Sequence, residues 1–372
     1  MEPATLWTER LDRKFQERAP KVIQNEDGTY GFVAPGIHPF PVAAGFGVGK
    51  SGAELKEHLK KGYEAARPSG WDPVERLKDQ DVDGVAAEVL YTTLGMPLFA
   101  LDDVELQQAC FSVFNNWLAE YASHAPKRLY PIALISLEDV AAGAKELERC
   151  AKMGMRGAMI WGAPPEDRPY SKALYDPFWA AAQDLQMPLS LHVITQKKQR
   201  RVNFRFNDAK ETGATAEPKE PRDRGAFVDP IFEIQQSIRS LVYGGALERF
   251  PHLRIVSAEN DAGWVAHYLH RLDHIHEKLH GKQPGGGRLK KMPSEYLREH
   301  LWATFQDDPV APLTTSYFGE DQFMWASDFP HTDSTWPHSQ EVIAKDFANI
   351  SATVRRKILS DNAVKLYRMN LN

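Results

Sequence analysis

Phe323-Met324-Trp325-Ala326-Ser327-Asp328 is a short apolar run that stops on a carboxylate. Pro188-Leu189-Ser190-Leu191-His192 repeats the arrangement with an imidazole, and Arg254-Ile255-Val256-Ser257-Ala258-Glu259 repeats it with a second carboxylate. Runs of this length and β-branched or aromatic content read as buried strands. Outward from them, the same signal occurs at 85–91, 129–136, 157–161 and 301–305, giving seven strands at 85–91, 129–136, 157–161, 189–193, 254–259, 301–305 and 323–328. Helical patterns lie between them at 102–124, 137–153, 172–186, 230–250, 263–280 and 339–349. Strand and helix in alternation predict an α/β fold around a parallel sheet.

The rhythm breaks in three places. Residues 18–70 are rich in Gly and Pro, with Asn25-Glu26-Asp27-Gly28 placed like a hairpin turn before Tyr30-Gly31-Phe32-Val33 and with 45–52 reading as loop, and are expected to cap one mouth of the sheet. Residues 196–229, opening with a basic run to Arg201, lack apolar periodicity and read as a lid or an oligomer arm; the basic run is either a solvated face or an attraction for an anionic substrate. Residues 281–293, with Gly285-Gly286-Gly287, read as a loop. The whole of 1–372 is expected to form one domain.

Composition excludes several classes. Lys plus Arg number 45 against 50 Asp plus Glu, a net charge of −5 without long like-charge blocks, which leaves no electrostatic footprint for nucleic acid. No stretch approaches the roughly 18 apolar residues of a membrane span. The two cysteines, Cys110 and Cys150, cannot build a disulfide framework or a cysteine-based zinc cluster. Without a leader pattern at the start, a cytoplasmic location is expected.

In a parallel barrel, functional groups collect where the strands end. His192, Glu259 and Asp328 each close a strand, and Gln306-Asp307-Asp308 follows another. Singly, such residues are ordinary structural polar groups; their recurrence at the same strand end singles them out. Imidazole with carboxylate is also a donor set for a divalent metal. His331 either orients a substrate or stabilises its turn. Trp161 is read as aromatic pocket lining or as core. His267, His270, His274, His276 and His280 lie at helical spacing and read as a polar flank rather than a metal site.

The run Trp325-Ala326-Ser327-Asp328-Phe329-Pro330-His331, the strand ending at His192, the stretch from Phe250 through Glu259-Asn260-Asp261-Ala262-Gly263-Trp264, the segment 72–91 and the opening 2–20 resemble the amidohydrolase-related group that includes aminocarboxymuconate-semialdehyde and hydroxybenzoate decarboxylases. The resemblance implies a distorted (β/α)8 TIM barrel with one divalent metal at its mouth, zinc as the first expectation and manganese as the second. His192 and Asp328 would be metal ligands; Asp328, Glu259 and His331 catalytic; Trp161, Asn260 and Trp264 substrate-binding. The other family ligands lie on a first strand just before the Glu-Pro that here is Glu2-Pro3. The expectation is therefore that the first strand is missing from this chain by truncation, the rival being a metal-free barrel that only binds.

The implied function is non-oxidative decarboxylation of an aromatic or enolic acid. The group's decarboxylases usually carry histidine where Glu259 stands, so metal-assisted hydrolysis of an amide, lactone or C–C bond is the alternative. Partners implied are a small carboxylate substrate and a second copy of the chain in a homodimer or higher oligomer.

Overall fold

The computed structural model describes residues 1–26, 28–198, 229–279 and 289–371. A small antiparallel sheet comes first: β1 (Lys21–Gln24), β2 (Tyr30–Val33) and β3 (Phe40–Pro41). The expected hairpin turn closes with Asn25 N–H donating to the Thr29 carbonyl at 2.7 Å, while Gly28 takes the left-handed φ of 80° that its position needs. β3 was not anticipated, nor was the helix Gly52–Lys60 that follows the loop.

All seven expected strands are present: β4 (Glu88–Leu90), β5 (Leu129–Leu134), β6 (Gly157–Ile160), β7 (Leu189–His192), β8 (Ile255–Ala258), β9 (Leu301–Phe305) and β10 (Phe323–Trp325). Each pairs in parallel with its neighbours in chain order, and the sheet curls as in a distorted TIM barrel, with β4 and β10 as its outer strands. β5 to β8 are buried along their whole length. That follows from helices covering the outer face while side chains fill the inner one, which is why these strands read as near-continuous apolar runs.

Helix Val104–Ser123 shows how the layer is held. Asp103 caps it, accepting from Leu106 N–H at 3.0 Å, and Leu106, Cys110, Phe111, Phe114 and Leu118 turn inward. Burial of each large apolar side chain contributes about 1.5–3 kcal/mol. Asn115, also on the buried face, donates to the Leu134 carbonyl (3.0 Å) and accepts from the Leu134 amide (2.8 Å), so its amide takes the place of a strand neighbour. Cys110 and Cys150 are both buried and unbridged.

Helix Pro73–Asp83 escaped the sequence reading. Asp72 caps it by accepting from Val74 and Glu75 N–H, proline opens it, and Gly84 ends it at φ 71°. Its buried face is polar: Arg76 pairs with Glu88 of β4 at 2.6 Å, Gln80 donates to the same carboxylate at 2.7 Å, and Asp83 accepts from the Ser339 hydroxyl at 2.5 Å.

The Gly-rich loop of region 18–70 lies over the ends of β4 and β10. A Cβ at Gly45 would come 2.9 Å from Thr93 Cγ2, one at Gly47 would come 2.3 Å from Thr332 Oγ1, and Gly49 faces the Trp336 ring. Most of the expected lid, residues 199–228, lies outside the described residues, as do His280 and Gly285-Gly286-Gly287. Among the described residues, no helix is long and apolar enough to cross a membrane.

Candidate metal and catalytic centre

Glu259 and Asp328 directly follow, or nearly follow, β8 and β10, and both sit in the left-handed region, at φ 56° and 54°. For a residue with a Cβ this conformation costs on the order of 1 kcal/mol, and it turns the carboxylates off the strand axis. Asp328 Oδ1 lies 2.8 Å from His331 Nδ1, and Glu259 Oε2 lies 2.9 Å from His192 Nε2. Donor atoms of Glu259, Asp328 and His331 all fall within 4.8 Å of one another, and this is the metal-capable cluster found among the described residues.

The tautomer of His192 is set locally. Its Nδ1 lies 3.0 Å from the Val193 carbonyl, which can only accept, so Nδ1 carries the proton and Nε2 faces Glu259. A bare nitrogen lone pair 2.9 Å from a carboxylate oxygen is repulsive unless a proton or another cation is shared between them. A proton or a divalent cation would satisfy that pair; the donors that converge are Glu259, Asp328 and His331, a set chemically suited to a divalent metal, and His192 adjoins it through Glu259. Tyr91 further confines His192, with ring centroids 5.4 Å apart and the phenol bonded to Ser190 Oγ at 2.8 Å.

Without a metal, protons hold the cluster together. Burial, reinforced by Glu259, pushes the Asp328 carboxyl up to about 6 despite the opposing His331. Burial disfavours the His331 cation, yet the adjoining Asp328 carboxylate outweighs it and lifts the imidazole to about 9. Burial likewise opposes ionisation of Glu259 and His192, but each holds the other charged, so Glu259 lies below and His192 above its ordinary value.

These four side chains open onto a cavity of about 430 Å³ that spreads between β4 and β10 and is also lined by Tyr91, Thr93 and Gln306. Trp161, Asn260 and Trp264, expected at the substrate, are not among its lining residues. Trp161 is 1% exposed and donates to the Phe99 carbonyl at 3.2 Å, the core alternative of its reading. Asn260 donates its amide NH2 to the Ala258 (2.6 Å) and Leu191 (3.3 Å) carbonyls, leaving its buried Oδ1 without a partner among the described residues, and Trp264 donates to the Asn260 carbonyl at 2.8 Å. Asp308 is equally occupied, accepting from the amides of Ala262, Gly263, Val310 and Ala311.

Three residues near the centre were given no role by the sequence reading, although Glu2 and Arg76 lie in stretches that carried the resemblance. The fully buried Glu2 carboxylate accepts from the Thr92 hydroxyl and from the amides of Thr93, Leu94 (2.9 Å) and Gly95 (3.3 Å). Thr93 Oγ1 lies 3.0 Å from His331 Nε2. Arg76 packs over the Phe329 ring, 4.4 Å from its centroid, and reaches the Phe329 carbonyl at 3.4 Å, gripping the Asp328–His331 turn.

Comparison with known proteins agrees with this architecture. The chain is 24% identical over 283 residues to a gamma-resorcylate decarboxylase of Polaromonas sp. (strain JS666 / ATCC BAA-500), covering 69% of this chain and 75% of the relative. Among solved structures, an amidohydrolase from Mycobacterium avium subsp. paratuberculosis K-10 aligns with a TM-score of 0.73 at 21% identity, over 98% of this chain and 95% of the other. A dihydroxybenzoic acid decarboxylase from Polaromonas sp. JS666, solved with bound manganese and the inhibitor 2-nitroresorcinol, aligns with a TM-score of 0.62 at 21% identity, over 79% and 85% of the two chains. The family model described as Amidohydrolase matches residues 35–369, nearly the whole chain, and the protein accordingly belongs to the amidohydrolase family.

Proposed function

We propose that this protein is a metal-dependent carboxy-lyase that removes carbon dioxide from a hydroxylated aromatic acid. The observation that carries the reading is the meeting of two imidazole–carboxylate pairs, His192 with Glu259 and His331 with Asp328, on one cavity. The likeness to decarboxylases of aromatic acids supports it. His192, Asp328 and Glu259 would hold the ion. When bound, a divalent cation supplies Lewis-acid polarisation of substrate oxygens.

The chain's own residues supply proton control. Asp328, on the cavity and 2.8 Å from His331, is the group placed to deliver a proton to the ring carbon that bears the carboxylate. The carbon–carbon bond then breaks, its electron pair restores the aromatic ring, and carbon dioxide leaves. His331, bonded to Asp328 through Nδ1, returns the proton to the carboxylate. Tyr91 and Gln306 line the space where the ring would sit.

The placement of Glu259 on the cavity, 2.9 Å from His192 Nε2, supports hydrolysis as a second reading, with Glu259 as a general base toward water. The two separate experimentally. Protein loaded in turn with manganese and zinc is assayed for carbon dioxide release from dihydroxybenzoates and for hydrolysis of aryl esters and lactones. Release that disappears in Asp328→Asn supports the carboxy-lyase, hydrolysis alone supports the second reading, and neither activity at stoichiometric metal refutes both and leaves a binding protein. Self-association into a homodimer remains part of the proposal and is tested by light scattering.

A further inference from the structure

We propose that Thr93 is a positioning residue that fixes the His331 imidazole, and that the buried Glu2 carboxylate holds Thr93 in place. The proposal rests on the reading of Asp328 and His331 as the proton-handling pair.

Thr93 is constrained at three points. Its amide donates to Glu2 at 3.2 Å, its methyl lies where a Cβ on Gly45 would be 2.9 Å away, and its hydroxyl is left facing His331 Nε2 at 3.0 Å. Glu2 gathers four donors from the 92–95 loop onto one carboxylate that is 0% exposed. Such a carboxylate resists movement, because any donor pulled away leaves a charged acceptor short of a partner in a dry setting. Gly95 is part of the same fit: a Cβ there would lie 2.3 Å from Thr92 Oγ1 and 2.6 Å from Leu134 Cδ1.

The consequence for His331 is geometric. Its Nδ1 is bonded to Asp328 at 2.8 Å, which alone leaves the ring free to pivot about that bond. The Thr93 hydroxyl, which can either donate or accept, gives Nε2 a partner in both protonation states of the ring. Two fixed partners on opposite nitrogens set the ring plane, and the Nδ1–Asp328 bond stays aligned while the proton moves.

The test compares Thr93→Val, which keeps the shape and removes the hydroxyl, with Thr93→Ser, which keeps the hydroxyl. Ring nitrogen chemical shifts of His331 are read in the metal-free protein, and kcat and KM in the metal-loaded enzyme. Thr93→Val is expected to shift the Nε2 resonance and to lower kcat roughly tenfold, the loss of about one hydrogen bond, with KM nearly unchanged. Thr93→Ser should restore most of both. Glu2→Gln should move the same resonance, and combining it with Thr93→Val should cost less than the sum of the two, because both act through one contact. Gly45→Ala, which presses on the Thr93 methyl, gives a third route if Glu2→Gln fails to fold. Unchanged His331 shifts in Thr93→Val overturn the proposal, as does a fall in melting temperature with kcat intact. If the wild-type protein decarboxylates nothing, the reading of the reaction fails while the nitrogen shifts still decide the role of Thr93.

Discussion

Replacing Arg76 by methionine should destabilise the protein more than almost any other single polar change. Arg76 and Glu88 are 7% and 11% exposed and meet at 2.6 Å. Removing the cation leaves Glu88 buried with one neutral donor, Gln80 at 2.7 Å. Breaking one side of a buried ion pair typically costs about 3–5 kcal/mol, and the lost stacking on Phe329 adds about 1 kcal/mol. Methionine packing recovers part of this, so a net loss of about 4 kcal/mol is expected. The double variant Arg76→Met with Glu88→Leu should behave differently, since it abolishes both desolvation costs and leaves Gln80 without its acceptor and the Phe329 carbonyl without the Arg76 donor, a loss of about 1–2 kcal/mol beyond the stacking. Urea unfolding monitored by circular dichroism gives both values. A single variant within 1 kcal/mol of wild type, or a double variant less stable than the single one, refutes the argument that the pair is held by mutual neutralisation.

His192→Ala and Asp328→Ala should each lower manganese affinity by at least tenfold in calorimetric titration and abolish carbon dioxide release, whereas His270→Ala should change neither. In the metal-free protein, His331 has its pKa raised from 6.5 to about 9, so its contribution is complete below pH 6.5 and is lost as pH rises through about 9; thermal midpoints measured from pH 6 to pH 10 should fall across that window, and His331→Gln should flatten the fall. Trp161→Phe should cost about 1 kcal/mol, the bond to the Phe99 carbonyl, and leave KM unchanged; a raised KM would return Trp161 to the substrate pocket.

The strands were legible because burial on both faces forces a continuous apolar run, and the site was legible where such a run ended on His192, Glu259 or Asp328. Helix Pro73–Asp83 was not, for the opposite reason. Its inward face carries Arg76, Asp79, Gln80 and Asp83, which pack by hydrogen bonds and leave no apolar period to read, although Asp72 and Pro73 offered a start signal. The roles of Thr93 and Glu2 were not legible, although Glu2 marked the resemblance, because they exist only in contacts spanning 91 and 238 residues of chain. The resemblance implied Asn260 and Trp264 at the substrate, yet neither lines the cavity. Their polar atoms are held by local carbonyls instead, Asn260 by Ala258 at 2.6 Å and Trp264 by Asn260 at 2.8 Å.

The left-handed backbone at Glu259 and Asp328 has an energetic consequence. Glycine would relieve the strain at either position, yet it would also strip His192 or His331 of a buried carboxylate partner, so relief of backbone strain and loss of the pair pull in opposite directions there. Two carboxylates held on unfavourable backbone, at the ends of separate strands, thus carry a conformational cost that their contacts with His192 and His331 have to offset.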